Sequence, residues 1–122
     1  MHRRVGVLIP ILLLSLATTA LASRAPTTRE RREIASAARH SQGTRLARGK
    51  FLVRSVRVSS VDPRWAKALL RPKPAYRDQL DTATAVFHRT NGHWRLSDLG
   101  TAQVGCVVIH DADVRADLRL GC

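Results

Sequence analysis

His88 and His93 are the side chains best able to carry chemistry, because they flank Asn91-Gly92, a dipeptide typical of a two-residue β-hairpin turn. In that register the two imidazoles are diagonal neighbours on one face, within reach of one metal ion or proton relay. Arg95 falls opposite His88, however, and a cation there disfavours a bound metal. Asp98 points to the other face, so the usual third ligand is missing. We expect no metal, and we expect His88, His93 and Arg95 to form an exposed hairpin face.

Other side chains with catalytic potential have structural explanations. Glu30 and Glu33 fit helix capping and ion pairing with arginine, and Asp111 and Asp113 fit the first turn of a short helix. No G-x-S-x-G elbow or glycine-rich phosphate loop accompanies the serines. The sequence therefore predicts no enzyme and no cofactor. A small hydrolase built on the two histidines is an alternative that requires a bound metal or a shifted histidine pKa.

The chain has two cysteines, Cys106 and Cys122, with no Cys-x-x-Cys spacing. An even count in an exported chain predicts one disulfide. Closing a ring of roughly 17 residues stabilises a fold by about 3 kcal/mol in the chain-entropy model. The pair is therefore expected to contribute much of the stability of a small domain.

Basic residues outnumber acidic ones by 21 to 9, a formal net charge of +12, and they concentrate at residues 23–57. This excess is a plausible footprint for an anionic polymer. Arg outnumbers Lys by 18 to 3, however, which a GC-rich genome would impose whatever the function. No nucleic-acid-binding motif resolves the choice. The candidate anion-binding residues are Arg29, Arg31, Arg32, Arg45 and Arg48.

The N-terminus has the pattern of a secretory signal. A basic start, Met1 to Arg4, precedes an apolar run from Val5 to Leu21 that closes with Ala20-Leu21-Ala22. We expect a cleaved signal peptide at residues 1–22, a mobile leader at 23–26 and one small domain at 27–122. The product would be secreted or otherwise extracytoplasmic.

The remaining sequence predicts a helix, then strands, then a short helix. Thr27 and Glu30 form a capping box that opens a helix ending near Gly43, and Asp111 caps the C-terminal helix. A parity change near Arg54-Ser55 predicts a β-bulge in the first strand. The expected strands run from Phe51 to Val58, Trp65 to Arg71, Thr82 to Thr90 and His93 to Leu99.

The fold class is therefore α+β: an N-terminal helix packed on a three- to four-stranded antiparallel sheet, with a short C-terminal helix and one disulfide. By analogy alone, this layout is cystatin-like or NTF2-like. The hairpin register places Val86 opposite Ser97 on the solvated face with the histidines. The core face collects Ala83, Ala85, Phe87, Trp94 and Leu96.

Several segments also suggest a family. They are VRVSSVDPRWA at 56–66, TAVFHR at 84–89, NGHWRL at 91–96, DLG at 98–100, GC at 105–106 and DLRLGC at 117–122. Together they resemble small secreted proteins of actinobacteria that have no assigned function. The resemblance covers most of residues 51–122 and implies export, the four strands and paired cysteines. It carries over no catalytic residue.

These observations predict a secreted, non-enzymatic binding or interaction module. Its partner would be an extracytoplasmic protein that meets the basic surface or the exposed hairpin face. The alternative is a cationic protein that binds a polyanion, namely nucleic acid, an anionic cell-wall polymer or a membrane surface. Salt separates the two, because phosphate-type contacts weaken steeply as salt rises while shaped apolar contacts do not.

Overall fold

A computed structural model describes residues 10–11 and 22–122 of the chain. The predicted signal peptide at 1–22 therefore lies, apart from Pro10, Ile11 and Ala22, outside the described residues. Within the described ranges, no helix is long and apolar enough to cross a membrane.

Helix α1 spans Thr28–His40 and starts at the predicted capping box. The Glu30 amide donates to Thr27 Oγ1 at 3.1 Å, and the Thr27 amide donates to the Glu30 carboxylate at 2.9 Å. The helix ends before the predicted Gly43, because Ser41 is extended and its hydroxyl accepts from the Gly43 amide. Ser41 thereby caps a 3₁₀ helix, Gln42–Ala47, that leads to the sheet.

Four antiparallel strands follow: β1 (Phe51–Val58), β2 (Trp65–Pro72), β3 (Ala83–Thr90) and β4 (His93–Gly100). They lie in the sheet in the order β1-β2-β3-β4. The predicted bulge in β1 is confirmed: the β1–β2 register shifts between Arg54 and Arg57, and Ser55 has a φ of 53°. The bulge keeps Phe51, Val56 and Val58 buried on one face.

The β3–β4 hairpin follows the predicted register only near its turn. Asn91 and Gly92 have φ of 52° and 76°, as a type I′ turn requires, and the pairing holds as far as Phe87 with Leu96. A bulge then pairs Val86 with Asp98, so the expected pairing of Val86 with Ser97 was wrong. Asp98 consequently shares the face of Val86, which corrects its predicted orientation.

The main core lies between α1 and one face of the sheet. Ile34 and Ala38 of α1 are fully buried there. The sheet supplies small and aromatic side chains that fit this thin helical stripe, so the apolar face of α1 is covered as its spacing predicts. The buried sheet residues are Phe51, Val56, Val58, Ala66, Ala68, Leu70, Ala85, Phe87 and Trp94.

A second core covers the opposite face, which we had expected to be solvated around Val86. Val86 is fully buried, because the chain after β4 crosses the sheet and lays α2 (Ala112–Asp117) against it. The predicted disulfide is confirmed, with Cys106 and Cys122 5.6 Å apart at Cα. The disulfide closes residues 106–122 into a ring within the segment that covers this face. The second core consists of Val86, Val104, Ile109, Val114 and Leu118.

The leader at 23–26 is paired with the sheet, in contrast to the expected mobile leader. Arg24 and Val58 exchange two backbone hydrogen bonds of 2.8 and 2.9 Å at the outer side of β1. The Arg24 guanidinium binds Glu30 of α1 at 2.7 Å. The leader therefore joins the first helix to the first strand.

Candidate functional site

A groove runs between α1 and β4, the last strand of the sheet. It consists of two adjoining recesses of about 490 and 420 Å³ that share Ala37, His40, His93 and Trp94. The first recess continues along Arg95 and Leu96 of β4, and the second continues along α1 to Arg32. We call this the α1–β4 groove.

The outer edge of β4 borders the α1–β4 groove. Thr90 and His93 flank the two-residue turn and form a hydrogen-bonded pair, and such pairs alternate along an antiparallel ladder. The backbone N–H and C=O groups of Trp94 and Leu96 therefore point away from β3. Within residues 22–122, neither residue has a backbone hydrogen bond outside the β3–β4 ladder. The strand edge beside the groove thus has backbone donors and acceptors with no partner among the described residues.

Basic residues line the groove on both sides of this edge. Arg32 and His40 lie on α1, and His93 and Arg95 lie on β4. His40 Nδ1 donates to the Ser36 carbonyl at 2.8 Å, which leaves its Nε2 for another partner. The one acidic residue of the groove, Glu33, accepts from Arg29 at 3.0 Å. The side chains of the groove therefore favour a negatively charged ligand.

Trp94 lines the groove with a buried indole. The residue is 6% exposed, and its Nε1 has no hydrogen-bond partner among the described residues. The Arg89 guanidinium lies 5.8 Å from the ring centroid, a cation–π distance. The indole therefore gives the groove one aromatic wall.

The five predicted anion-binding arginines are all exposed, but they do not lie at one place. Arg29, Arg31 and Arg32 belong to α1, while Arg45 and Arg48 lie at the 3₁₀ helix and its end. Of these five, Arg32 lines the α1–β4 groove, and Arg29 is paired with Glu33.

The predicted hairpin face is divided in a similar way. His93 and Arg95 line the α1–β4 groove, whereas His88 stacks on Trp65 with ring centroids 4.1 Å apart. His88 Nδ1 also lies 3.2 Å from Thr90 Oγ1. Across residues 10–11 and 22–122, no group of three or more His, Cys, Asp or Glu is placed to hold a metal ion.

Comparison with known proteins does not assign the groove. The chain matches no protein-family model, no curated protein and no solved structure. Its function is therefore inferred from the geometry and the charges.

Two features of the groove were missed in the sequence. The position of His40 depends on where α1 ends. The Ser41 cap sets that end, and not Gly43, near which the sequence predicts it. Trp94 and Leu96 were assigned to the core by their side chains, which says nothing about their backbone groups. The simple meander order, with β4 last, was the available signal for an open edge.

A buried serine–aspartate pair was also missed. Ser59 Oγ donates to Asp117 Oδ2 at 2.8 Å, and the Ser60 amide donates to the same oxygen at 2.8 Å. The amides of Val61 and Asp62 in turn donate to Ser59 Oγ. Among the described residues, no imidazole hydrogen-bonds to the pair. The pair fixes α2 to the β1–β2 turn.

Proposed function

We propose that the chain is an exported, non-enzymatic binding module whose α1–β4 groove binds an extended acidic segment of an extracytoplasmic protein. The observation that carries this proposal is the meeting of an unpaired strand edge with Arg32, His40, His93 and Arg95 in one groove. An extended peptide adds to such an edge through main-chain hydrogen bonds, while flanking side chains select its sequence.

Export is supported by two features. The basic start, apolar run and Ala20-Leu21-Ala22 at the N-terminus form a signal-peptide pattern. The Cys106–Cys122 disulfide is typical of an oxidising compartment. N-terminal sequencing of protein recovered outside the cytoplasm should give Ser23 as the first residue. A product that still begins at Met1 would contradict this cleavage.

Recognition would combine two kinds of contact. The backbone groups of Trp94 and Leu96 would pair with the backbone of the partner, and Arg95 would bind its carboxylates through charge-assisted hydrogen bonds. Arg32 of α1 would add positive charge at the same edge. The buried indole of Trp94 supplies an apolar wall for an alternate side chain of the partner. An alternating acidic and aliphatic segment fits these requirements, because successive side chains of a strand point to opposite sides.

Fluorescence anisotropy with a labelled peptide of about eight alternating Glu and Val residues tests the proposal. The mature protein should bind this peptide and reject its Lys–Val counterpart. A second Glu–Val peptide, N-methylated at every other residue on the side that would face β4, cannot donate to the strand edge. It should bind at least about tenfold more weakly, since it loses the main-chain bonds but keeps its charge.

Matched charge variants distinguish the groove from the general basic surface. Arg32→Gln with Arg95→Gln removes two charges from the groove, and Arg45→Gln with Arg48→Gln removes two charges elsewhere. The groove pair should weaken peptide binding about tenfold and the control pair less than about twofold.

The polyanion alternative predicts a different result. Both charge pairs would weaken binding equally, the N-methylated peptide would bind as well as its parent, and nucleic acid or an anionic glycan would be retained with a steep salt dependence. That pattern would replace the acidic-peptide proposal with a polyanion-binding surface.

A further inference from the structure

A second pocket opens between the 3₁₀ helix and the adjacent ends of the strands. Its volume is about 160 Å³ and its wall is almost entirely apolar. Thr44 is one of its few polar residues, and its hydroxyl donates to the Ala38 carbonyl within the fold. An apolar ligand in this pocket would therefore contact mostly hydrocarbon. The apolar wall consists of Ala47, Phe51, Leu70, Leu80, Ala83 and Leu99.

A basic recess adjoins this apolar pocket. The two cavities share Pro72, Leu80 and Asp81, and the recess, about 370 Å³ in volume, is also lined by Arg71 and Arg77. Both arginines are exposed, and within residues 22–122 neither forms a salt bridge. Two arginines that form no salt bridge among the described residues thus line a recess next to a hydrocarbon pocket.

We propose that these two cavities together bind a small anionic amphiphile, with its charged head at Arg71 and Arg77 and its aliphatic tail in the apolar pocket. Guanidinium groups bind carboxylates and phosphates through paired, charge-assisted hydrogen bonds. An apolar cavity of about 150 Å³ holds a benzene-sized ligand. The 160 Å³ pocket therefore fits a tail of about five or six carbons.

Asp81 opposes the positive charge of the recess. It lines both cavities, and within the described chain its carboxylate has no salt bridge. Two arginines outweigh one aspartate, so the recess keeps a net positive charge that selects an anion over a cation. The carboxylate also weakens anion binding, so its removal should strengthen it.

Titration of the mature protein with hexanoate, followed by the NMR methyl signals of Leu70, Leu80 and Leu99, tests this site. The dissociation constant of hexanoate, obtained from these shifts, should be at least about tenfold lower than that of hexylamine, hexanol or acetate. Each of these comparators lacks either the negative head group or the tail. If hexylamine or hexanol binds as tightly as hexanoate, the proposed role of the basic recess in binding the head group is wrong. If acetate binds as tightly as hexanoate, the proposed role of the apolar pocket in binding the tail is wrong.

Variants assign the two halves of the site. Ala47→Leu should fill the pocket and abolish hexanoate binding, and Arg71→Gln with Arg77→Gln should weaken binding about tenfold. Arg45→Gln with Arg48→Gln removes the same charge outside both cavities and should leave binding within about twofold. Asp81→Asn should strengthen binding severalfold. Since Arg71, Arg77 and Asp81 are exposed, their variants keep the proposal testable even if Ala47→Leu fails to fold. Hexanoate binding unaffected by the arginine pair and by Asp81→Asn would refute it.

Discussion

Gly105 is the residue at which backbone conformation and packing are most tightly constrained. Its φ is +84°, and a Cβ there would lie 2.7 Å from Leu120 Cδ1 and 3.1 Å from Val86 Cγ2. The Gly105 amide also donates to Asp98 Oδ2 at 2.8 Å. A glycine at this point lets the chain turn back from β4 directly over Val86, which closes the second core.

Gly105→Ala should lower the free energy of unfolding by about 2 kcal/mol, because it adds both a left-handed strain and a steric contact. Urea unfolding of the mature protein measures this. The control is Gly121→Ala, where a Cβ would meet nothing within 4 Å and stability should stay within about 0.5 kcal/mol. Equal stability of the two variants would contradict the packing around Gly105.

Residue chemistry predicted the local turns better than it predicted the pairing between strands. The Thr27–Glu30 capping box and the Asn91-Gly92 turn depend on neighbouring residues, and both are present. The β3–β4 bulge depends on how Val86 packs under a distant segment, which no local pattern contains. The predicted placement of Asp98 therefore failed for a tertiary reason.

At the scale of elements, α1 and β1 are joined through the leader. Arg24 pairs with Val58 by its backbone and with Glu30 by its side chain. The hydrogen bond from Arg24, helped by the Thr27 amide, lowers the pKa of Glu30 to about 2 from its ordinary 4.5, against an opposing effect of burial. The leader thus carries a charge interaction that should register in the pH dependence of stability.

Glu30→Gln should lower the free energy of unfolding by about 1 to 2 kcal/mol at neutral pH, allowing for solvent screening of the partly exposed Arg24. The folded-state pKa of Glu30 is depressed, so the stabilisation is present above pH 4.5 and is lost as pH falls towards 2. Glutamine keeps the capping acceptor, so the variant isolates the charge.

Unfolding of wild type and Glu30→Gln at pH 7 and at about pH 2 measures this effect. The two proteins should converge at low pH. Glu33→Gln serves as the control, because its partner Arg29 is 88% exposed and the change should cost less than about 0.5 kcal/mol. A constant difference between wild type and Glu30→Gln at both pH values would rule out the charge effect.

The α1–β4 groove also belongs to the scale of elements, and the periodicity of hydrophobic residues could not predict it. Alternation predicted which face each β4 side chain occupies, and the core face with Trp94 and Leu96 was correct. The edge depends on strand order and on where α1 stops, and both are set by contacts distant in sequence. The helix, the strands and the β1 bulge were predictable, whereas the groove required their assembly.

At the scale of the whole molecule, the sheet is covered on both faces by unequal layers. The layer over one face contains α1, and the layer over the other is the segment from Val104 to Cys122 closed by the disulfide. Sequence predicted the disulfide but not the second layer, because Val107-Val108-Ile109 has no periodicity that indicates a partner. The smaller core is the one that depends on the covalent ring.

The double variant Cys106→Ser with Cys122→Ser should lose about 3 kcal/mol of stability. Because the ring lies within the second layer, hydrogen exchange should accelerate first in residues 104–122, while amides of α1 and β2 stay protected longer. Mass-spectrometric hydrogen exchange, with reduced wild type as a second test, measures this order. Simultaneous loss of protection in both layers would mean that the two cores unfold as one unit.

The two edges of the sheet have consequences for how copies of this chain meet one another. The β1 edge is bulged, carries Arg54 and Arg57, and is partly occupied by Arg24, so it is a poor template for another strand. The β4 edge is regular from His93 to Leu96, where its own bulge begins. A sheet with a single usable edge can pair with one neighbour but cannot propagate into a fibril. Two copies joined through β4 would also bring their His93 and Arg95 side chains together, so like-charge repulsion opposes even that dimer.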